Sequence, residues 1–188
     1  RRQRQMGPAP AAVLRPVPLF GPALEPLPIF EARVEAGKKE FAGVELPQRT
    51  LGIIGLGAIG SLVADTALKL GMKVIGFDPE ITIDAAWRLP STVRKAHSLE
   101  DLLRHSDYVS LHVPLLPVTR HLIDEKRLGV MKQGAALLNF ARDAVVEAAA
   151  VVAALRSRRL KTYLCDFPSA HTIGEPHSDG RRTVFFEL

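Results

Sequence analysis

Gly55, Gly57 and Gly60 stand at the spacing Gly-x-Gly-x-x-Gly behind an apolar run, Leu51-Gly52-Ile53-Ile54. A strand that turns sharply into a helix above a phosphate needs those glycines for three separate reasons. The first permits a tight turn, the second lets backbone approach a pyrophosphate, and the third lets the helix pack closely on the strand. Phosphate oxygens then meet the free N–H groups of the helix N-terminus, with Ala58 and Ile59 in the same turn. An amphipathic segment, Ser61–Leu70, follows, then Gly71 as a stop and a second apolar strand, Lys73–Phe77, ending at Asp78. Asp78 lies about 20 residues past the glycines, where a carboxylate holds adenosine ribose hydroxyls and repels a 2′-phosphate. The pattern points to a dinucleotide, NAD rather than NADP. A flavodoxin-like or other doubly wound domain with another ligand is the competing reading.

Such a loop needs a sheet to hold it, and 188 residues that are 47% hydrophobic supply one core of ordinary size. Residues 1–30 hold half of the prolines and no acid before Glu25, so they read as a tail that does not pack by itself. Glu31–Phe41 reads as a short charged helix leading to a turn at Pro47-Gln48. Past Asp78-Pro79 the chain reads as irregular through Pro90; Ser98 then opens a helix, Leu99–His105, in a capping-box-like Ser-x-x-Asp. Tyr108–Val113 reads as a strand, Asp124 as the cap of a helix Glu125–Met131, and Gly134 as its breaker. Strand Ala135–Phe140, helix Glu147–Arg156 and strand Leu160–Phe167 complete the alternation; Ser169–Leu188 shows no periodicity. Strands alternating with helices at this spacing predict an α/β fold with a doubly wound parallel sheet covered on both faces.

Several classes fall away. No apolar run approaches the roughly 20 residues that span a bilayer. The single cysteine, Cys165, sits in an apolar strand and reads as a buried thiol in a cytoplasmic, reducing compartment, without disulfides. A net charge of +5, with one Trp and two Tyr, offers no aromatic-studded basic face for nucleic acid. His97, His105, His121 and His171 have no metal-ligand spacing, so no metal site is expected. Neither Tyr108 nor Tyr163 is followed by the Lys of a short-chain reductase Tyr-x-x-x-Lys pair.

Five ordered motifs lie beyond the glycine loop's own strand: Phe77-Asp78-Pro79; Asp107–Pro114 running to Thr119-Arg120; Leu138–Arg142; and Cys165-Asp166-Phe167, with the loop itself at 55–60. With these the chain resembles the D-isomer-specific 2-hydroxyacid dehydrogenases over roughly residues 31–170, and within them the phosphoglycerate dehydrogenases. The resemblance implies a Rossmann-type NAD-binding domain. It implies that His112, Val113 and Pro114 line the cofactor cleft with Thr119, that Asn139–Arg142, including Ala141, close it, and that Asp166 meets the nicotinamide carboxamide. Arg142 becomes the substrate arginine, and a planar guanidinium suits a 2-hydroxy or 2-oxo carboxylate. His112 reads as a cleft-lining histidine without a proton-transfer role. A homodimer through the cofactor domain is also implied, with aggregation as its competitor.

The chain also departs from that family. Asp143 follows Arg142 and could pair with it in competition with an anionic substrate; Leu116 stands where a hydroxyl residue is common. The general acid/base that the chemistry needs is a histidine held by a glutamate downstream of the last strand. Glu175-Pro176-His177 holds both residue types, but adjacent on a proline loop and outside the family's spacing. The substrate domain is largely missing: the upstream part is replaced by the proline-rich tail, and residues 171–188 form an irregular end. The expectation is a cofactor domain that binds NAD and turns over little or no 3-phosphoglycerate. A non-enzymatic NAD-dependent interaction protein is the alternative.

Overall fold

The structure, a computed structural model, describes residues 45–166 and the strand at 184–185. The expectations for Glu31–Phe41, for the proline-rich segment, for His171 and for Glu175 and His177 lie outside the described residues. The described elements all belong to the compact unit Glu45–Leu188.

Among the described residues the strands are β1 (Thr50–Ile54), β2 (Lys73–Phe77), β3 (Arg94–Lys95), β4 (Tyr108–Leu111), β5 (Ala135–Asn139), β6 (Leu160–Cys165) and β7 (Val184–Phe185). The helices are α1 (Ala58–Lys69), α2 (Ile83–Arg88), α3 (Leu99–His105), α4 (Glu125–Val130) and α5 (Ala148–Arg156). The strands form one sheet in the order β3-β2-β1-β4-β5-β6-β7, every pair parallel. This is the Rossmann-type doubly wound sheet that the alternation predicts.

Parallel strands are buried on both faces, and β1 shows it residue by residue. Leu51 and Ile53 pack with Ala64 and Ala67 of α1 and with Val74 of β2. Ile54 turns the other way, into the larger cluster with Leu102 and Leu103 of α3, Leu137 of β5 and Val151 of α5. Cys165 is buried in that cluster, as expected of a structural thiol.

The helix ends follow their residues. At the C-terminus of α1, Gly71 sits at φ +79 and donates its N–H to the Leu68 carbonyl, while Met72 N–H reaches the Ala67 carbonyl. That pair of bonds closes the helix around a left-handed residue, which glycine adopts without strain. Ser98 Oγ accepts from Asp101 N–H and opens α3; the Asp101 carboxylate reaches back one residue further than a capping box requires, to His97 N–H. Asp124 Oδ1 accepts from Arg127 N–H and opens α4.

Three expectations change. The stretch after Pro79 is not irregular throughout: Thr82 Oγ1 accepts from Ala85 N–H and starts α2, a helix with no buried residue and hence no apolar stripe to read. Beyond it, two residues add β3 to the edge of the sheet. Val184–Phe185 pairs with β6 within the stretch that shows no period. Strand β4 also ends two residues early: His112 N–H still donates to the Ile54 carbonyl, but Pro114 has no N–H to continue. No helix among the described residues is long and apolar enough to cross a membrane.

Candidate dinucleotide site

All strands run the same way, so their carboxyl ends share one edge. The sheet order reverses between β1 and β4, which opens a crevice there. Every sequence-predicted site residue follows the end of a strand on that edge: the glycine loop after β1, Asp78 after β2, His112 to Thr119 after β4, Ala141 and Arg142 after β5, and Asp166 after β6.

The three glycines differ in what surrounds them. Gly55 holds φ +90 against the next loop, and a Cβ there would lie 2.6 Å from the His112 carbonyl oxygen. A Cβ on Gly60 would lie 2.0 Å from the Gly55 carbonyl oxygen, so the first turn of α1 rests directly on the loop. Gly57 is the opposite case: a Cβ there meets nothing within 4 Å. It precedes α1, whose first N–H groups have no partner within the helix. Ile59 is exposed on the same turn. The loop is an open cradle at the end of a twelve-residue helix, suited to an anion.

Asp78 fixes the cradle from the side. Its Oδ2 accepts from Leu56 N–H at 2.8 Å and its Oδ1 from Glu80 N–H at 3.0 Å. The carboxylate therefore stands beside the glycine loop with lone pairs left for further donors. On the far wall, His112 is half-buried and its Nε2 lies 2.9 Å from Ser110 Oγ. Burial holds the His112 imidazole below its ordinary pKa, so the ring is neutral at pH 7. Val113 is half-buried and Pro114 exposed. Thr119 Oγ1 accepts from Leu116 N–H at 2.7 Å and donates to the Pro114 carbonyl at 2.6 Å, bracing a loop that exposes Leu115, Leu116 and Val118.

At the end of β5, Asn139 is fully buried. Its Oδ1 accepts from Ala141 N–H and its Nδ2 donates to the Arg142 carbonyl, folding residues 139–142 into a turn. Arg142 is exposed and its Nη1 donates to the Ala141 carbonyl at 2.7 Å. Among the described residues it makes no ion pair with Asp143, which instead opens the single 3-10 turn Asp143–Val145. After β6, the buried Asp166 Oδ1 has no hydrogen-bond partner among the described residues. A buried carboxylate oxygen left alone is costly, and a donor entering the crevice would satisfy it.

The residues thus fit a dinucleotide on three counts: the open space at Gly57, the carboxylate beside the loop, and the orphaned Asp166 oxygen. Ser110 and Tyr163 carry the surroundings of the site without being singled out as site residues by sequence, whereas Asn139 lies in the segment 139–142 expected to close the cleft. A Ser two residues before the histidine is a usable signal for the first; for the buried tyrosine the sequence holds none. Among the described residues no group of three His, Cys, Asp or Glu side chains could hold a metal ion.

Comparison with known proteins gives the family. Residues 24–179 match the family model for the D-isomer specific 2-hydroxyacid dehydrogenase NAD binding domain. The chain is 37% identical over 134 residues to the D-3-phosphoglycerate dehydrogenase of Methanocaldococcus jannaschii, covering 71% of this chain and 25% of that protein. It is 44% identical over 138 residues to the (S)-sulfolactate dehydrogenase of Chromohalobacter salexigens, covering 71% and 44%. The Aquifex aeolicus D-lactate dehydrogenase, solved with NAD and lactic acid, superposes with a TM-score of 0.62 at 36% identity, over 76% of this chain and 43% of that one. The chain therefore spans a quarter to under half of the length of these relatives. It belongs to the D-isomer-specific 2-hydroxyacid dehydrogenase family, whose members are NAD-dependent oxidoreductases acting on CH–OH groups, and it is that family's NAD-binding domain.

Proposed function

We propose that this chain is the cofactor-holding half of a dehydrogenase of phosphoglycerate dehydrogenase type. NAD, when bound, supplies the hydride acceptor, and in its reduced form the donor. The chain's own residues bind and orient it. The glycine loop and the N-terminus of α1 take the pyrophosphate. Asp78 takes ribose hydroxyls and repels a 2′-phosphate, giving preference for NAD over NADP. Asp166 Oδ1 accepts from the carboxamide, with His112, Val113, Pro114, Thr119 and Ala141 lining the crevice between.

Arg142 is the candidate catalytic residue, binding the substrate carboxylate bidentately and polarising the reacting oxygen. Its exposure and its freedom from Asp143 favour that role. The substrate class follows from the relatives' names. Phosphoglycerate and sulfolactate are both three-carbon 2-hydroxy acids with a second anionic group on C3, and phosphoglycerate is our choice. The hydroxyl proton needs an acceptor in the transition state. Among the described residues the ion pairs include no histidine–glutamate pair, and His112 is engaged by Ser110, so we expect NAD binding with little or no turnover.

One observation carries this reading: the unpartnered Asp166 oxygen stands on the same sheet edge as the open cradle at Gly57. Titrating Asp166→Ala with NADH and with ADP-ribose tests it. NADH affinity is expected to fall about tenfold, and ADP-ribose, which has no nicotinamide, to bind unchanged. An equal loss for both ligands, or none for either, would contradict the assignment.

A further inference from the structure

We propose that the buried Tyr163 hydroxyl is a positioning residue for Arg142, acting through Asn139 to fix the turn that presents the guanidinium. This rests on the reading that Arg142 receives the substrate carboxylate.

Tyr163 is 3% exposed and Asn139 0%. The β5–β6 register sets Asn139 opposite Cys165 and Tyr163 opposite Leu137, so the tyrosine lies two residues further from the crevice. Its ring spans that gap, and its hydroxyl lies 3.3 Å from Asn139 Nδ2. The Asn139 side chain then has each polar atom engaged. Its Oδ1 holds Ala141 N–H at 3.2 Å, one amide proton goes to the Arg142 carbonyl at 3.0 Å, and the other goes to Tyr163. A buried amide with every group satisfied has one orientation. Take the hydroxyl away and one buried donor is orphaned, which favours rotation of the amide and release of the Arg142 carbonyl.

Arg142 is the hinge of this arrangement. Its backbone is extended, at φ −152 and ψ 144, between Ala141 and the turn at Asp143, so a loosened Asn139 moves the guanidinium directly. Burial pushes the Tyr163 hydroxyl pKa up, helped by the nearby Cys165 and the Asp143 carboxylate and opposed by the Asn139 bond. The hydroxyl therefore remains protonated and accepts from Asn139 with a lone pair.

Tyr163→Phe removes the hydroxyl and keeps the ring. We expect amide exchange at Ala141 to quicken about five- to tenfold while Val109 and Leu111 exchange as before. In the same variant oxamate binding to the NADH-loaded full chain, read by NADH fluorescence, weakens to a similar degree. Exchange at Ala141 that matches wild type overturns the inference. In wild type both Asn139 side-chain amide protons exchange slowly, and a fast one overturns it with no variant needed. An oxamate response lost in Arg142→Ala but unaltered in Tyr163→Phe also overturns it, and leaves the reading of Arg142 standing. An oxamate response that survives Arg142→Ala overturns that reading itself.

Discussion

Two glycines three residues apart do different work, because one faces empty space and the other faces a carbonyl. Gly57→Ala adds a methyl to the cradle and touches no protein atom, so stability should hold to within about 1 kcal/mol while NADH affinity falls at least about tenfold. Gly60→Ala drives a methyl onto the Gly55 carbonyl and should lose about 2 kcal/mol even after the gain in helix propensity. Thermal unfolding and NADH titration of both variants check the contrast. His112 gives a pH test. Its folded pKa lies below the ordinary 6.5, so the unfolded chain binds the proton more readily. The stability this group contributes is complete above pH 6.5 and is lost as pH falls below that value. Urea midpoints should drop from about pH 7 to 5.5 in wild type, and the His112→Gln profile should be flatter over that window. The site was legible at this scale where residue type and spacing together encode the chemistry, as at Gly55, Gly57, Gly60 and Asp78. The bond between Asn139 and Tyr163 was not, since that partnership is made by strand register and exists only once the sheet has formed.

Elements with their own punctuation were readable from the chain alone. Ser98, Asp124, Gly71 and Gly134 mark boundaries that the structure keeps to within a residue or so. The cap at Ser98 should be measurable: Ser98→Ala removes the acceptor for Asp101 N–H and is expected to lower stability by about 1 kcal/mol in urea unfolding. A loss near zero would mean that burial of Leu99, Leu102 and Leu103 alone fixes α3. Helix α2 carries no signal in the usual place. Ile83 and Trp87 are among its most exposed residues, and a six-residue helix with no buried face has no stripe. Strands β3 and β7 are two residues each, too short to show an alternation, and their pairing is decided by β2 and β6. Helix α1 begins three residues before its expected start because the glycine motif is itself the helix's first turn.

At the scale of the molecule, one sheet edge gathers a cradle, two carboxylates and an exposed arginine, and the chain spans under half of the length of the relatives it matches. The whole arrangement depends on parallel strands ending together at a reversal in sheet order, which was foreseeable from the alternation of elements. Calorimetric titration of the purified, folded chain with NADH and separately with NADPH tests the central claim most directly. Saturable NADH binding with NADPH at least about tenfold weaker is the predicted result, because Asp78 repels a 2′-phosphate. Equal affinity for the two, or no binding of either, would contradict the account.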